Sequence, residues 1–137
     1  MPKYTSFKSS AAQNLKSKSI YFSTENAIVM GILNITEDSF FDGGKYKTEE
    51  EIINRCRKML EEGAAIIDIG AQSSRPGAQV VSTKQELSKL LPIIKLLKSR
   101  FPNLILSVDT YWAKVAEQCI KVGVDMINDI SAGEMDK

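Results

Sequence analysis

The chain of 137 residues contains no histidine. That excludes a histidine general base, a histidine-ligated metal and any Ser-His-Asp triad built from its own side chains. The two cysteines, Cys56 and Cys119, lie far apart in sequence on the apolar faces of expected helices. They read as small core residues rather than as a disulfide or a metal pair. The net charge of +1 offers no bulk attraction to nucleic acid or to an anionic membrane surface. No apolar run approaches the length of a membrane span. There is no Gly-x-Gly-x-x-Gly, and Gly43-Gly44-Lys45 lacks the upstream glycine and the following hydroxyl of a Walker loop. Asn34-Ile35-Thr36 has the form of a glycosylation sequon, but at a buried strand end, with no secretory signal, it reads as a chance match.

What is present fits one globular domain, with 43% hydrophobic and 26% charged residues. Residues 1–18 stand apart: they carry Lys3, Lys8, Lys16 and Lys18, many serines, no acid and no arginine. They are expected to form a flexible basic tail, leaving residues 19–137 as the domain. Ser19 to Ser23 suits a short strand that leads through a turn at Thr24-Glu25-Asn26 into the first long strand.

Beyond the tail, two patterns alternate. Apolar runs over 27–33, 64–67, 104–108 and 124–127 stop at Asn34, Asp68, Asp109 and Asn128. Such continuous runs suit strands buried on both faces. A single Asp after a strand is commonly a cap or a turn residue. Several in comparable positions point to a shared site at the strands' carboxyl ends. Between the strands lie helical patterns. Thr48-Glu49-Glu50-Glu51 has capping-box spacing and precedes an apolar face of Ile52, Ile53, Cys56, Met59 and Leu60. Thr83-Lys84-Gln85-Glu86 repeats the box ahead of Leu87, Leu90, Leu91, Ile94 and Leu97, with Pro92 expected to break that helix or start a new turn. A third helix is expected over Trp112 to Val122, and Gly63 and Gly123 sit where left-handed C-caps belong. The alternation argues for an α/β fold with a parallel sheet and covering helices. A barrel and an open doubly wound sheet both place ligands at strand carboxyl ends, so both fit.

The polar loops are specific. Met30 to Gly44 (MGILNITEDSFFDGG) closely resembles the first signature of the dihydropteroate synthases, and Asp68 to Ala78 (DIGAQSSRPGA) resembles their second. Ser107-Val108-Asp109-Thr110 and Ile127-Asn128-Asp129-Ile130 match the family's third and fourth strand ends. The resemblance runs from about residue 19 to the last residue. There are departures: Glu37 replaces a proline, Ala71 and Gln72 replace Gly and Glu, and Ser74 replaces Thr. Ser74 keeps the hydroxyl, Gln72 loses a charge, and Glu37 adds one near the expected diphosphate.

The resemblance implies the N-terminal half of a TIM (β/α)8 barrel, about four parallel strands and three helices. The family's later pterin-holding elements have no counterpart in these residues. Inner-layer side chains near Ile32, Ile67, Leu106 and Ile127 are then expected to face water or another chain. It further implies condensation of 6-hydroxymethyl-7,8-dihydropterin diphosphate with p-aminobenzoate in folate biosynthesis, with Mg²⁺ as cofactor. Asn34 would contact the metal, and Ser74 and Arg75 the diphosphate or the surroundings of the amine substrate. Asp109 and Asn128 would read the pterin edge with Asp68 beside them. Asp38, Phe40 and Asp42 would sit on a loop closing over the cation and shaping the p-aminobenzoate pocket. Asp38, Asp42 and Arg75 form the expected catalytic set, whereas Asp129 is expected to be a cap or surface residue. The implied partners are small molecules, with no nucleic acid or membrane, a cytoplasmic setting and a homodimeric full-length form. Two other expectations stand beside this: a pterin-binding methyltransferase domain, and a truncated folding unit without catalysis.

Overall fold

A computed structural model describes residues 5–6, 21–22, 27–35, 45–72 and 81–136. The elements run β1 (Thr5–Ser6), β2 (Tyr21–Phe22), β3 (Val29–Asn34), α1 (Lys45–Glu61), β4 (Ala64–Gly70), α2 (Thr83–Arg100), β5 (Ile105–Asp109), α3 (Ala113–Lys121) and β6 (Met126–Asn128). β1 and β2 form a separate antiparallel pair. β3 to β6 form one parallel sheet in sequence order. Each neighbouring pair is joined through one helix, so the architecture is the four-strand, three-helix α/β unit that the sequence predicts.

Strand alternation divides the side chains between two faces. Leu33, Ile67, Ile69, Leu106 and Val108 are fully buried against Ile52 and Cys56 of α1, Leu90, Ile94 and Leu97 of α2, and Val115 and Cys119 of α3. Each such side chain contributes roughly 1.5–3 kcal/mol of burial free energy. Both cysteines are free and buried as expected, and burial pushes each thiol up to about 11. α1 comes so close to β3 that a methyl group on Gly31 would lie 2.8 Å from Met59 Sδ.

The opposite face carries Ile32, Asp68, Ser107 and Met126 in one register row. Here the structure corrects the inner-layer expectation. Ile32 does face away from the helices and is 59% exposed, but Ile67 and Leu106 are fully buried on the helix side and Ile127 packs against that core. A shift of one residue along a strand moves a side chain to the other face.

The helix starts also differ from expectation. α1 begins at Lys45, so Thr48 lies inside it rather than at its cap. α2 is capped by Ser82, which accepts from the Gln85 backbone N–H while the Gln85 side chain accepts from the Ser82 N–H. The box is therefore one residue earlier than Thr83 and Glu86. That leaves Glu86 free to turn inward, where it is fully buried. Pro92 does not break α2, which is continuous to Arg100. Pro92 is exposed on the solvent side, and the buried residues that flank it hold the helix together. Gly63 and Gly123 have φ of 106° and 102°, the left-handed conformation that lets α1 and α3 turn into the next strand.

Candidate active site at the carboxyl ends of the strands

The parallel register sets Asn34, Gly70, Asp109 and Asn128 side by side as the last residues of β3 to β6. The sequence reading put Asp68 in this row, but β4 continues through Ile69 to Gly70, so Asp68 lies one layer deeper. Gly70 has no side chain, and the space above it is bounded by its neighbours. A methyl group there would lie 3.6 Å from Asn34 Oδ1, 3.6 Å from Asp109 Oδ2 and 3.5 Å from Asp109 Cβ. Asn34 and Asp109 thus converge over a backbone floor.

The layer beneath is polar and buried. Asn128 Nδ2 donates to Asp68 Oδ2 at 3.0 Å. Asp68 is 3% exposed, and its register neighbour Ser107 is fully buried. Asp68 Oδ1 and Ser107 Oγ have no hydrogen-bond partner. Leaving such groups unpaired costs about 1–3 kcal/mol each. Ser107 was missed as a site residue in the sequence. The signal was its place two residues before Asp109, which puts both on one strand face.

The electrostatics are those of clustered acids. Burial holds the Asp109 carboxyl above its ordinary range, and Asp68, Glu86 and Asp129 raise it further. Asp129 serves as a turn cap, as expected: it accepts from Ser131 N–H at 2.8 Å, Ser131 Oγ at 2.7 Å and Gly133 N–H at 2.7 Å. The Ser131 bonds pull its carboxyl below the usual range.

Among the expected site residues, the structure brings together Asn34, Asp68, Asp109 and Asn128. Asp38, Phe40, Asp42, Ser74 and Arg75 lie outside the described residues. Among the described residues no cluster of three acid or thiol ligands could cage a metal. Asn34 offers a neutral amide oxygen on the rim, a donor of the kind that hard cations accept alongside other oxygens.

A polar row at the carboxyl ends of a parallel α/β sheet, above a layer with unpaired polar atoms, is the class of strand-end arrangement at which α/β proteins hold small polar ligands. Residues 30–137 match the pterin binding enzyme family, and the chain belongs to it. A dihydropteroate synthase of Clostridium beijerinckii is 47% identical over 113 residues, covering 82% of this chain and 42% of that protein. The crystal structure of 7,8-dihydropteroate synthase from Vibrio fischeri ES114 superposes with a TM-score of 0.72 at 43% identity, covering 88% of this chain and 42% of that one. Xanthomonas albilineans dihydropteroate synthase with 4-aminobenzoic acid gives a TM-score of 0.73 at 39% identity, over 84% of this chain and 42% of that one. The chain therefore spans about two-fifths of the length of these relatives. Its four strands and three helices are the N-terminal part of their TIM barrel.

Proposed function

We propose that the chain carries the pterin-binding front half of a dihydropteroate synthase. The observation that carries this is the row Asn34–Gly70–Asp109–Asn128 above Asp68 and Ser107. A pterin edge presents ring N–H and amino donors beside ring acceptors. Asp109 accepts from the donors, and Asn128, oriented by its bond to Asp68, meets the mixed edge.

The reaction joins p-aminobenzoate to 6-hydroxymethyl-7,8-dihydropterin diphosphate. The methylene C–O bond breaks and the electron pair leaves with diphosphate. The amine nitrogen forms the new C–N bond and loses a proton to solvent. The pterin ring delocalises the developing cation, so no strong base is required. The protein's task is to stabilise opposite charges at two ends of one bond. Asp109 and Asp68 place negative potential near the pterin. Arg75 and the Ser74 hydroxyl hold the departing diphosphate, Arg75 through a forked charge-assisted pair. Asp38, Phe40 and Asp42 shape the amine pocket. Mg²⁺, with Asn34 as one donor, would neutralise diphosphate charge when bound. A cytoplasmic homodimer of barrels is the setting that fits this reading.

The test is a chimera in which residues 30–137 replace the matched stretch of the Clostridium beijerinckii enzyme. The expected outcome is dihydropteroate formation. In the same chimera, Arg75→Ala weakens binding of the pterin diphosphate by about ten- to a hundredfold, the loss of a charge-assisted pair. Binding of the free pterin alcohol changes little. A folded chimera with no pterin affinity, or equal loss for both ligands, contradicts the proposal.

A further inference from the structure

The bond from Asn128 Nδ2 to Asp68 Oδ2 joins β6 to β4, two strands that are not neighbours. It crosses β5, roughly 10 Å of sheet at the usual strand spacing. Ser107 of β5 is the register partner of Asp68, and Asp109 that of Asn128, so the crossing runs between them on their shared face. Val108, the residue between, is buried on the helix side and leaves the path clear. Asp109 stands at the rim beside Gly70, and Ser107 is fully buried beside Asp68. Inward positions of a barrel strand are normally filled by bulky branched side chains. Ile32, Ile66 and Ile105 on this face follow that rule, and Ser107 breaks it.

We infer that Ser107 is a positioning residue: its short side chain leaves the gap through which Asn128 reaches Asp68, and this bridge sets the ligand preference of the strand-end site by fixing which end of the Asn128 amide a ligand meets. This rests on the pterin reading of that site. A carboxylate accepts hydrogen bonds, so it takes the amide N–H and not the amide oxygen. Asn128 Oδ1 and its second Nδ2 hydrogen are then left for a ligand in one arrangement. A ligand amino group facing Oδ1 is matched, whereas a ligand oxygen there meets a second acceptor. Released from Asp68, the amide can turn over and serve either, because its two ends are nearly the same size. A valine at position 107 would put branched methyl groups into the crossing, and an alanine would not. The size of this side chain, rather than its hydroxyl, is what the bridge requires.

The experiment has two arms. In the full chain without ligand, a double-mutant cycle of Asp68→Ala and Asn128→Ala is measured by denaturant unfolding, in the parent and in Ser107→Ala and Ser107→Val backgrounds. The expected coupling in the parent is about tenfold in the unfolding constant, one hydrogen bond to a charged group. It is retained with Ser107→Ala and lost with Ser107→Val. In the Clostridium beijerinckii chimera, affinity is compared for a pterin and for its analogue carrying an oxygen in place of the ring amino group. The preference for the amino compound is expected to fall about tenfold with Asp68→Ala and with Ser107→Val, and to stay within about twofold of the parent with Ser107→Ala. A role in folding alone would weaken both ligands together and leave their ratio unchanged. Should Ser107→Val fail to fold, the Ser107→Ala cycle and the Asp68→Ala ratio decide the matter. No coupling in the parent, coupling lost with Ser107→Ala or kept with Ser107→Val, or a ratio unmoved by Asp68→Ala overturns the inference. The expected coupling pattern with a chimera that binds neither compound supports the bridge over Ser107 and counts against the pterin reading instead.

Discussion

Gly70 and Asp109 show how single residues divide their roles between fold and site. At Gly70 the strand conformation suits any L residue, and a methyl group would meet its neighbours at 3.5–3.6 Å, ordinary contact. Gly70→Ala should therefore leave the melting temperature unchanged or slightly raised, since alanine loses less entropy on folding. The methyl would fill the floor between Asn34 and Asp109, and pterin affinity should fall at least tenfold, about 1.4 kcal/mol. Calorimetry paired with thermal melting checks this, and an Ala variant that binds as well as the parent would show that the floor is not part of the site. Asp109 is the converse case. Its carboxyl is raised by burial, then by Asp68, Glu86 and Asp129. A carboxyl raised in the folded state favours folding while protonated; that contribution is present below its unfolded value and lost as pH rises through the folded one. Asp109→Asn removes the charge, so it should raise the melting temperature at pH 7, with the gain vanishing under acid conditions where Asp109 is already neutral. Pterin binding should weaken by about 1–3 kcal/mol, because an acceptor gives way to a partial donor. A variant less stable than the parent at pH 7 would contradict this account of the acid cluster.

At the scale of elements, helix ends and interiors tell different stories. The apolar faces of the first two helices were legible from their 3.6-residue spacing, and Gly63 and Gly123 from their place at the helix ends. The caps were not. Ser82 and Thr83 both begin a plausible box, and the choice depends on which way Glu86 turns. Burial of Glu86 beside Gln72 decides it, a long-range contact that local spacing does not encode. Pro92 was misjudged for a related reason. Its missing N–H and ring clash weaken one turn, but Leu90, Ile94 and Leu97 are buried on either side of it and hold the helix continuous. Pro92→Ala should restore the bond to the Ser88 carbonyl and stabilise the chain, by up to about 3 kcal/mol less whatever proline gains by stiffening the unfolded chain. Denaturant titration at constant m-value measures it. A lower midpoint for Pro92→Ala would show that the proline shapes a contact the helix needs. At the opposite end of the sheet from the site, Asp125 accepts from Lys98 Nζ and from the Leu106 N–H, joining α2, β5 and the approach to β6. That end serves stability, as the amino-terminal face of a barrel does.

At the scale of the whole molecule, the described sheet has two outer strands, β3 and β6. Large apolar side chains are exposed beside both: Val29 at 56% and Ile32 at 59% on β3, and Ile130 at 81% just past β6. In a closed barrel such strands pair with the next ones and no edge is left. A preparation of these 137 residues alone is therefore expected to self-associate and to lack synthase turnover, because four strands supply only part of the pterin enclosure. Ile32→Glu, on the face away from the helix core, should reduce association without lowering helix content. Light scattering and circular dichroism test this together. A monomeric parent with turnover at micromolar concentration would rule it out.

The sequence by itself determined the strand–helix alternation, the helix-facing core and the polar strand ends. These follow from periodicity and from the expense of placing Asn and Asp after apolar runs without a purpose. Its two loop motifs also pointed to the pterin binding enzymes before any coordinates. Only the tertiary structure decided depth and face. β4 runs two residues beyond Asp68, so Gly70 takes the rim and Asp68 drops to a buried layer beside Ser107. Register between strands is set by how whole elements pack, and with a side-chain period of two a single step exchanges core for site. The Gln72–Glu86 contact belongs to the same class: it joins residues fourteen apart in the chain, and only the docking of α2 against the end of β4 brings them within 2.6 Å.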